Sequence, residues 1–255
     1  MTLNDLMVKY GSDKAAHGFC EFYESFFLPV REDVKSVLEI GVADGASIRA
    51  WLDYFPNAEI WGMDAPRESV GAYGNPSRWP VTDRFIGVFG DQANRDHLTR
   101  LIDKRATVRT GYSAGGGWSE TVRLDDRPWD IVIDDGGHTM EQQQVSLGVL
   151  FPHTRMFYVV EDLRTSFGDE ITLYNPNGPN RSYPTNPDNL MTTYEHLWLI
   201  RDFNRHEVHE PEAPTKSKMT AEEWYAVYGG LVPEGLHVFD RDGDHKHMTS
   251  VLEVK

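Results

Sequence analysis

The sequence predicts an open α/β fold, with a mostly parallel sheet, helices on both faces and a closing antiparallel hairpin. Three observations carry this. Short apolar runs alternate with helical runs from residue 36 to residue 165, a glycine turn follows the first of them, and carboxylates end the later ones. Repeated strand–helix–strand units with short apolar strands make a parallel sheet that needs cover on both sides.

The elements follow in order. Strands are expected at Ser36–Ile40, Glu59–Met63, Arg84–Val88, Asp130–Ile133 and Met156–Val160. Helices are expected at Ala46–Phe55, Asn94–Ile102 and Thr139–Leu150. Ahead of them, residues 1–35 form an N-terminal helical segment bordering the site. There Tyr23, Phe26 and Phe27 fall at helical spacing before Pro29. Residues 36–255 form the main domain, with a helical run at Leu190–Phe203. Leu236–Phe239 and Thr249–Val254 form the closing hairpin around a turn at Asp240–Asp244. Two stretches break the rhythm. Residues 106–127 hold Gly115, Gly116 and Gly117 and read as an insertion or lid, and residues 168–195 read as a polar loop.

Composition narrows the function. A formal charge of −15 argues against general nucleic-acid binding, which needs a basic face. No apolar run reaches the roughly 18 residues of a membrane span, and residues 1–10 lack the pattern of a signal peptide. A cytoplasmic protein without nucleic-acid or membrane partners is expected. The single cysteine, Cys20, excludes an intrachain disulfide and reads as a small buried hydrophobe.

The turn after the first strand reads Glu39-Ile40-Gly41-Val42-Ala43-Asp44-Gly45. Glycines there let the backbone approach a nucleotide closely. Asp64 ends the second strand, where an acid can accept ribose hydroxyls. Gly41 and Gly45 give a G-x-x-x-G spacing rather than the dinucleotide G-x-G-x-x-G. With Glu39 two residues before Gly41, the turn favours S-adenosylmethionine over NAD. Asp91 and Gln92, after the third strand, are placed near the adenine. Asp134 joins these cofactor residues, with capping of the next helix as its alternative role.

The fourth strand ends in Asp134-Asp135-Gly136-Gly137-His138 and the fifth in Glu161-Asp162. Adjacent parallel strands would bring these groups to one sheet edge. Like charges gathered there need a compensating cation, and oxygen ligands suit Mg2+ or another hard divalent ion. Asp135, Glu161 and Asp162 are the expected ligands. Methylating an alcohol needs its proton removed. A cation on the oxygen helps, and His138 has the reference pKa of a general base.

Lys9-Tyr10-Gly11-Ser12-Asp13-Lys14 with His17, Val37-Leu38-Glu39-Ile40-Gly41-Val42, the Asp134–His138 stretch and Val160-Glu161-Asp162-Leu163-Arg164-Thr165-Ser166-Phe167 carry a resemblance. Together they resemble the metal-dependent O-methyltransferases of antibiotic biosynthesis: the mycinamicin and demethylmacrocin sugar enzymes and the cephalosporin hydroxylase-like proteins. The resemblance implies a Rossmann-like class I methyltransferase fold, with S-adenosylmethionine at Glu39, Gly41 and Asp64. It also implies magnesium at Asp135, Glu161 and Asp162, a base at His138, and a homo-oligomer whose N-terminal segment helps form the active site. The expected reaction is O-methylation of a sugar or other small hydroxylated natural product. An NAD-dependent oxidoreductase and a non-catalytic cofactor-binding subunit are the rival readings.

Overall fold

The computed structural model describes residues 1–65, 74–102, 107–112, 118–122, 128–166, 173–174, 182–183, 191–203, 217–230, 233–243 and 248–254. The chain opens with helices α1 (Leu3–Tyr10), α2 (Asp13–His17) and α3 (Phe19–Phe27). Thr2 and Asp5 form a reciprocal capping box that starts α1. Gly11, at φ 75°, ends it and reverses the chain into α2.

The central alternation then follows: β1 (Ser36–Ile40), α4 (Ala46–Tyr54), β2 (Glu59–Asp64), β3 (Phe85–Phe89) and α5 (Arg95–Ile102). It continues through β4 (Thr107–Tyr112), β5 (Trp118–Val122), β6 (Trp129–Asp134), α6 (Met140–Leu150) and β7 (Thr154–Val160). A two-residue ladder, β8 (Leu173–Tyr174) with β9 (Ser182–Tyr183), precedes α7 (Thr193–Phe203) and α8 (Ala221–Gly230). Strands β10 (Pro233–Asp240) and β11 (Met248–Val254) finish the fold.

The main sheet runs β10-β11-β7-β6-β1-β2-β3-β4-β5. Its centre, from β7 to β3, is parallel. The terminal hairpin adds antiparallel to β7, as the sequence predicts. The glycine-rich stretch 106–127 contributes a second antiparallel pair, β4 and β5, to the opposite edge rather than a free-standing insertion. Its Val, Thr and Tyr residues suit a pleated surface. The lid roles considered for it, and most of 168–195, concern residues outside those described. The turn at Asp240 is present, with the Gly243 N–H donating to Asp240 Oδ1 at 3.1 Å, while Asp244 lies outside the described residues. Among the described residues no helix is long and apolar enough to cross a membrane.

Side chains alternate across each strand, so each strand feeds two cores. Leu38, Ile40, Val132, Tyr158 and Val160 pack beneath α5, α6, α7 and α8. Val37, Ile131, Ile133, Phe157 and Val159 pack on the other face, under α1, α3 and α4. Phe19, Tyr23 and Phe27 fill that second core, so the N-terminal aromatic cluster is structural. Cys20 is buried there, and burial pushes its thiol up to about 12. Tyr23 Oη pairs with Thr249 Oγ1 at 2.8 Å, and Thr249 donates to the Val160 carbonyl at 3.1 Å. This ties α3, β11 and the end of β7 together.

Two features yield predictions. Gly41 has φ 90°, and a Cβ there would overlap the Asp135 carbonyl oxygen where the β1 and β6 turns meet. Gly41→Ala is expected to cost on the order of 3 kcal/mol in urea denaturation; an unchanged midpoint would contradict this packing. His196 on α7 is fully buried between Tyr228 Oη, 3.1 Å from Nδ1, and Ser217 Oγ, 3.0 Å from Nε2. Burial lowers its pKa from 6.5 to about 3. Its contribution is therefore intact above pH 6.5 and is lost as pH falls toward 3. Between pH 7.5 and pH 5 the protein should lose about 2 kcal/mol more stability than His196→Gln does. Equal losses would show that the imidazole protonates freely.

Candidate functional site

A cleft of about 730 Å³ opens at the carboxyl ends of the parallel strands. Gly41, Val42, Ala43 and Asp44 line one wall, and Asp64, Gly90 and Asp91 continue it. Asp135 to His138 and Asp162 line the other. Gly11, Ser12 and Asp13 of the N-terminal segment complete the cleft from within the same chain.

The cofactor turn has the backbone that its glycines permit, with Gly41 at φ 90°, Ala43 at 48° and Gly45 at 78°. Asp64 braces it. Its Oδ2 accepts from the N–H groups of Val42 at 3.0 Å and Ala43 at 2.7 Å, and Oδ1 accepts from Ala65 at 2.7 Å. Burial raises its pKa against the pull of those three bonds. Asp91 lines the cleft while its Oδ1 accepts from the Ala93 N–H at 2.9 Å.

Gln92 also borders the cleft, and Asp134 lies behind it. Gln92 is buried, donating through Nε2 to Asp134 Oδ1 at 2.6 Å and accepting through Oε1 from the Gly137 N–H at 2.9 Å. Asp134 is also bonded by Ser146 of α6, and burial pushes its carboxyl up to about 7. These two residues sit behind the Asp135–His138 turn and shape it. Asp134 does not cap α6, whose N-cap is Thr139, in a capping box with Gln142.

Strand alternation separates Asp134 from its neighbours. Glu39, Asp135 and Glu161 share the parity of Val37, Ile133 and Val159, so they turn toward the N-terminal helices. Lys14 meets them there. Its side chain is 1% exposed, and Nζ lies 3.3 Å from Glu39 Oε1, 2.9 Å from Glu161 Oε1 and in close contact with Asp135 Oδ2. Burial alone would lower the lysine pKa, but Asp135, Glu161 and Glu39 together hold it well above the ordinary range. Burial lifts Glu39 to about 7 although Lys14 opposes it, and Glu161 is raised by burial and by Asp135. Glu39 Oε2 accepts from Ser47 Oγ at 2.7 Å and from Trp51 Nε1 at 3.2 Å.

The third grouping faces the cleft. Asp135, His138 and Asp162 each offer one ligand atom, and these atoms lie within 4.8 Å of one another. His138 Nε2 is 3.2 Å from Asp162 Oδ2 and 4.0 Å from Asp135 Oδ1. His138 Nδ1 is shielded and has no hydrogen-bond partner among the described residues. His138 has φ 58° and Asp162 φ 52°. With Ala43 they are the non-glycine residues of positive φ among those described, and all three line the cleft. Such conformations cost free energy and persist where the surroundings impose them, commonly at functional sites. Two hard oxygen donors beside an imidazole fit a divalent cation.

Of the expected metal set, Asp135 and Asp162 therefore converge, and the Glu161 carboxylate faces Lys14. Sequence reasoning placed Lys14 near the site but not in contact with these acids. It missed Ser146, and also Gln143, whose Nε2 donates to the Glu161 carbonyl at 2.9 Å. Both lie on α6 in the run Gln142-Gln143-Gln144-Val145-Ser146, a polar stretch on a helix packed on nearly all sides. That burial was the missing signal.

No family model matches the chain. It is 30% identical over 177 residues to 8-demethyl-8-(2-methoxy-alpha-L-rhamnosyl)-tetracenomycin-C 3'-O-methyltransferase of Streptomyces olivaceus, covering 65% of this chain and 37% of that one. It is 32% identical over 176 residues to demethylmacrocin O-methyltransferase of Streptomyces fradiae, with the same coverage. The chain thus spans less than two fifths of the length of the curated relatives it matches. Among solved structures, MycE methyltransferase from the mycinamycin biosynthetic pathway, in complex with Mg and SAH, superposes with a TM-score of 0.62 at 25% identity, covering all of this chain and 55% of that one. An O-methyltransferase from Bacillus cereus in complex with SAH superposes with a TM-score of 0.50 at 12% identity, over 98% of this chain and 91% of that one. The fold is that of the Rossmann-like methyltransferases, and over 65% of its length the chain is similar to sugar O-methyltransferases of antibiotic biosynthesis.

Proposed function

We propose that the protein transfers the methyl group of S-adenosylmethionine to a hydroxyl of a sugar on a glycosylated natural product, assisted by a divalent cation. The observation that carries this reading is the convergence of Asp135, His138 and Asp162 on the cleft that the cofactor turn opens into. The similarity to sugar O-methyltransferases supports the acceptor class. The same reading includes a homo-oligomer, on the strength of the resemblance alone.

Glu39, the Gly41–Gly45 turn and Asp64 line or support the cofactor end of the cleft, with Asp91 beside them. Gln92 and Asp134 act from beneath, holding the Asp135–His138 turn in place. Asp135 and Asp162 would hold Mg2+ or a similar ion, with Glu161 as a third carboxylate shared with Lys14. Bound there, the cation supplies Lewis acidity toward the acceptor hydroxyl.

His138 receives the proton. Its Nε2 stands 3.2 Å from Asp162 Oδ2, beside the carboxylates proposed to hold the ion, where an acceptor hydroxyl would lie. His138 would take the hydroxyl proton as the acceptor oxygen gains the methyl group. Held against the Gly41–Gly45 turn, S-adenosylmethionine would supply the electrophilic methyl group and leave as a neutral thioether. Charge balances, and the chain's main contribution is alignment of oxygen, carbon and sulfur.

Methyl transfer to rhamnosyl or related deoxysugar glycosides, followed by mass spectrometry, tests the reading. Activity should require Mg2+, disappear in EDTA and return on adding Mg2+. Full activity in EDTA would refute the role of the cation. His138→Ala should lower kcat by about a hundredfold or more, and a near-normal rate would remove His138 as the base.

A further inference from the structure

Lys14, which touches two of the carboxylates proposed to hold the ion, is among the most buried side chains in the protein. A buried ammonium persists only with compensating charge, and here three acids from three strand ends supply it. Two of these are themselves sealed from solvent. Among the described residues, the Lys14 ammonium is the positive charge that meets the buried Glu39 Oε1 and Glu161 Oε1. Asp135 is divided between the two groupings, with Oδ2 on Lys14 and Oδ1 on the side of His138.

We infer that Lys14 is a built-in counter-cation that competes with the divalent ion for Asp135 and Glu161. It holds the acids together through its own charge and lowers their affinity for the ion, keeping the ion exchangeable. Lys14 is thus a positioning residue that acts through Asp135 and Glu161. The inference rests on the cation site proposed above. A fixed positive charge in contact with two of the acids opposes a second cation at the same carboxylates. A purely structural lysine would have the opposite effect on removal, since loosening the acids weakens any ion they hold.

The test is Mn2+ binding, followed by electron paramagnetic resonance on the intact chain and its variants without acceptor. Lys14→Met removes the charge and keeps most of the bulk. Lys14→Gln is a second neutral variant that carries the measurement should Lys14→Met fail to fold. Both should bind Mn2+ at least about tenfold more tightly than the parent. Both should also have a lower melting temperature in EDTA and a larger rise on adding Mn2+. Unchanged or weaker Mn2+ binding in the neutral variants, with the parent binding normally, would overturn the role of Lys14 and leave the cation site standing. Failure of the parent and both variants to bind Mn2+ would overturn both. Binding by the neutral variants alone would support the role of Lys14 and remove the cation from the parent's function.

Discussion

A parallel sheet puts all its carboxyl ends on one edge, and in this protein those ends are acidic. Glu39 leaves β1, Asp134 and Asp135 leave β6, and Glu161 and Asp162 follow β7, on neighbouring strands. Backbone bonds lock the convergence, with the Asp135 N–H donating to the Ile40 carbonyl at 3.0 Å and the Glu161 N–H to the Asp134 carbonyl at 2.9 Å. So much negative charge at one edge is tolerable only if it is divided and compensated. Alternation along the strands performs the division. Asp134 goes to the α6 side, where Gln92 and Ser146 bond it, and Glu39 and Glu161 go to the N-terminal side, where Lys14 meets them. Asp135 and Asp162 remain for the cleft, beside His138.

That division also explains what could be read from the residues alone. The five central strands show through as apolar runs, because a parallel strand is buried on both faces. The glycine turn and the order of the acidic ends were legible for the same reason. The pairing of Lys14 with Asp135 was not, since the two lie 121 positions apart and nothing local signals the contact. The different surroundings of Glu161 and Asp162 were not legible either, since neighbours in the sequence look equivalent. Strand parity separates them, and it places Glu161 with Val159 and Phe157 on the face of the N-terminal helices. The stretch 106–127 was judged by its glycines, yet the segments flanking them are rich in Val, Thr and Tyr and pair as strands.

The N-terminal segment acquires a double role. Its aromatic side chains complete one of the two cores, and its short second helix delivers the ammonium that balances the acidic edge. Asp64 shows a similar economy on the cofactor side. It holds the turn through two backbone N–H groups while lining the cleft, so ligand placement and turn geometry are coupled through one carboxylate. The positive φ values of Ala43, His138 and Asp162 put local strain on both walls of the same cleft.

The most direct test of this account is anomalous diffraction from a crystal grown with Mn2+ and S-adenosylhomocysteine. The account predicts a single manganese peak touching the carboxylates of Asp135 and Asp162, with the nucleoside product seated against the Gly41–Gly45 turn. A difference map with no peak between those carboxylates, or with the two turned away from each other around a bound product, would contradict it.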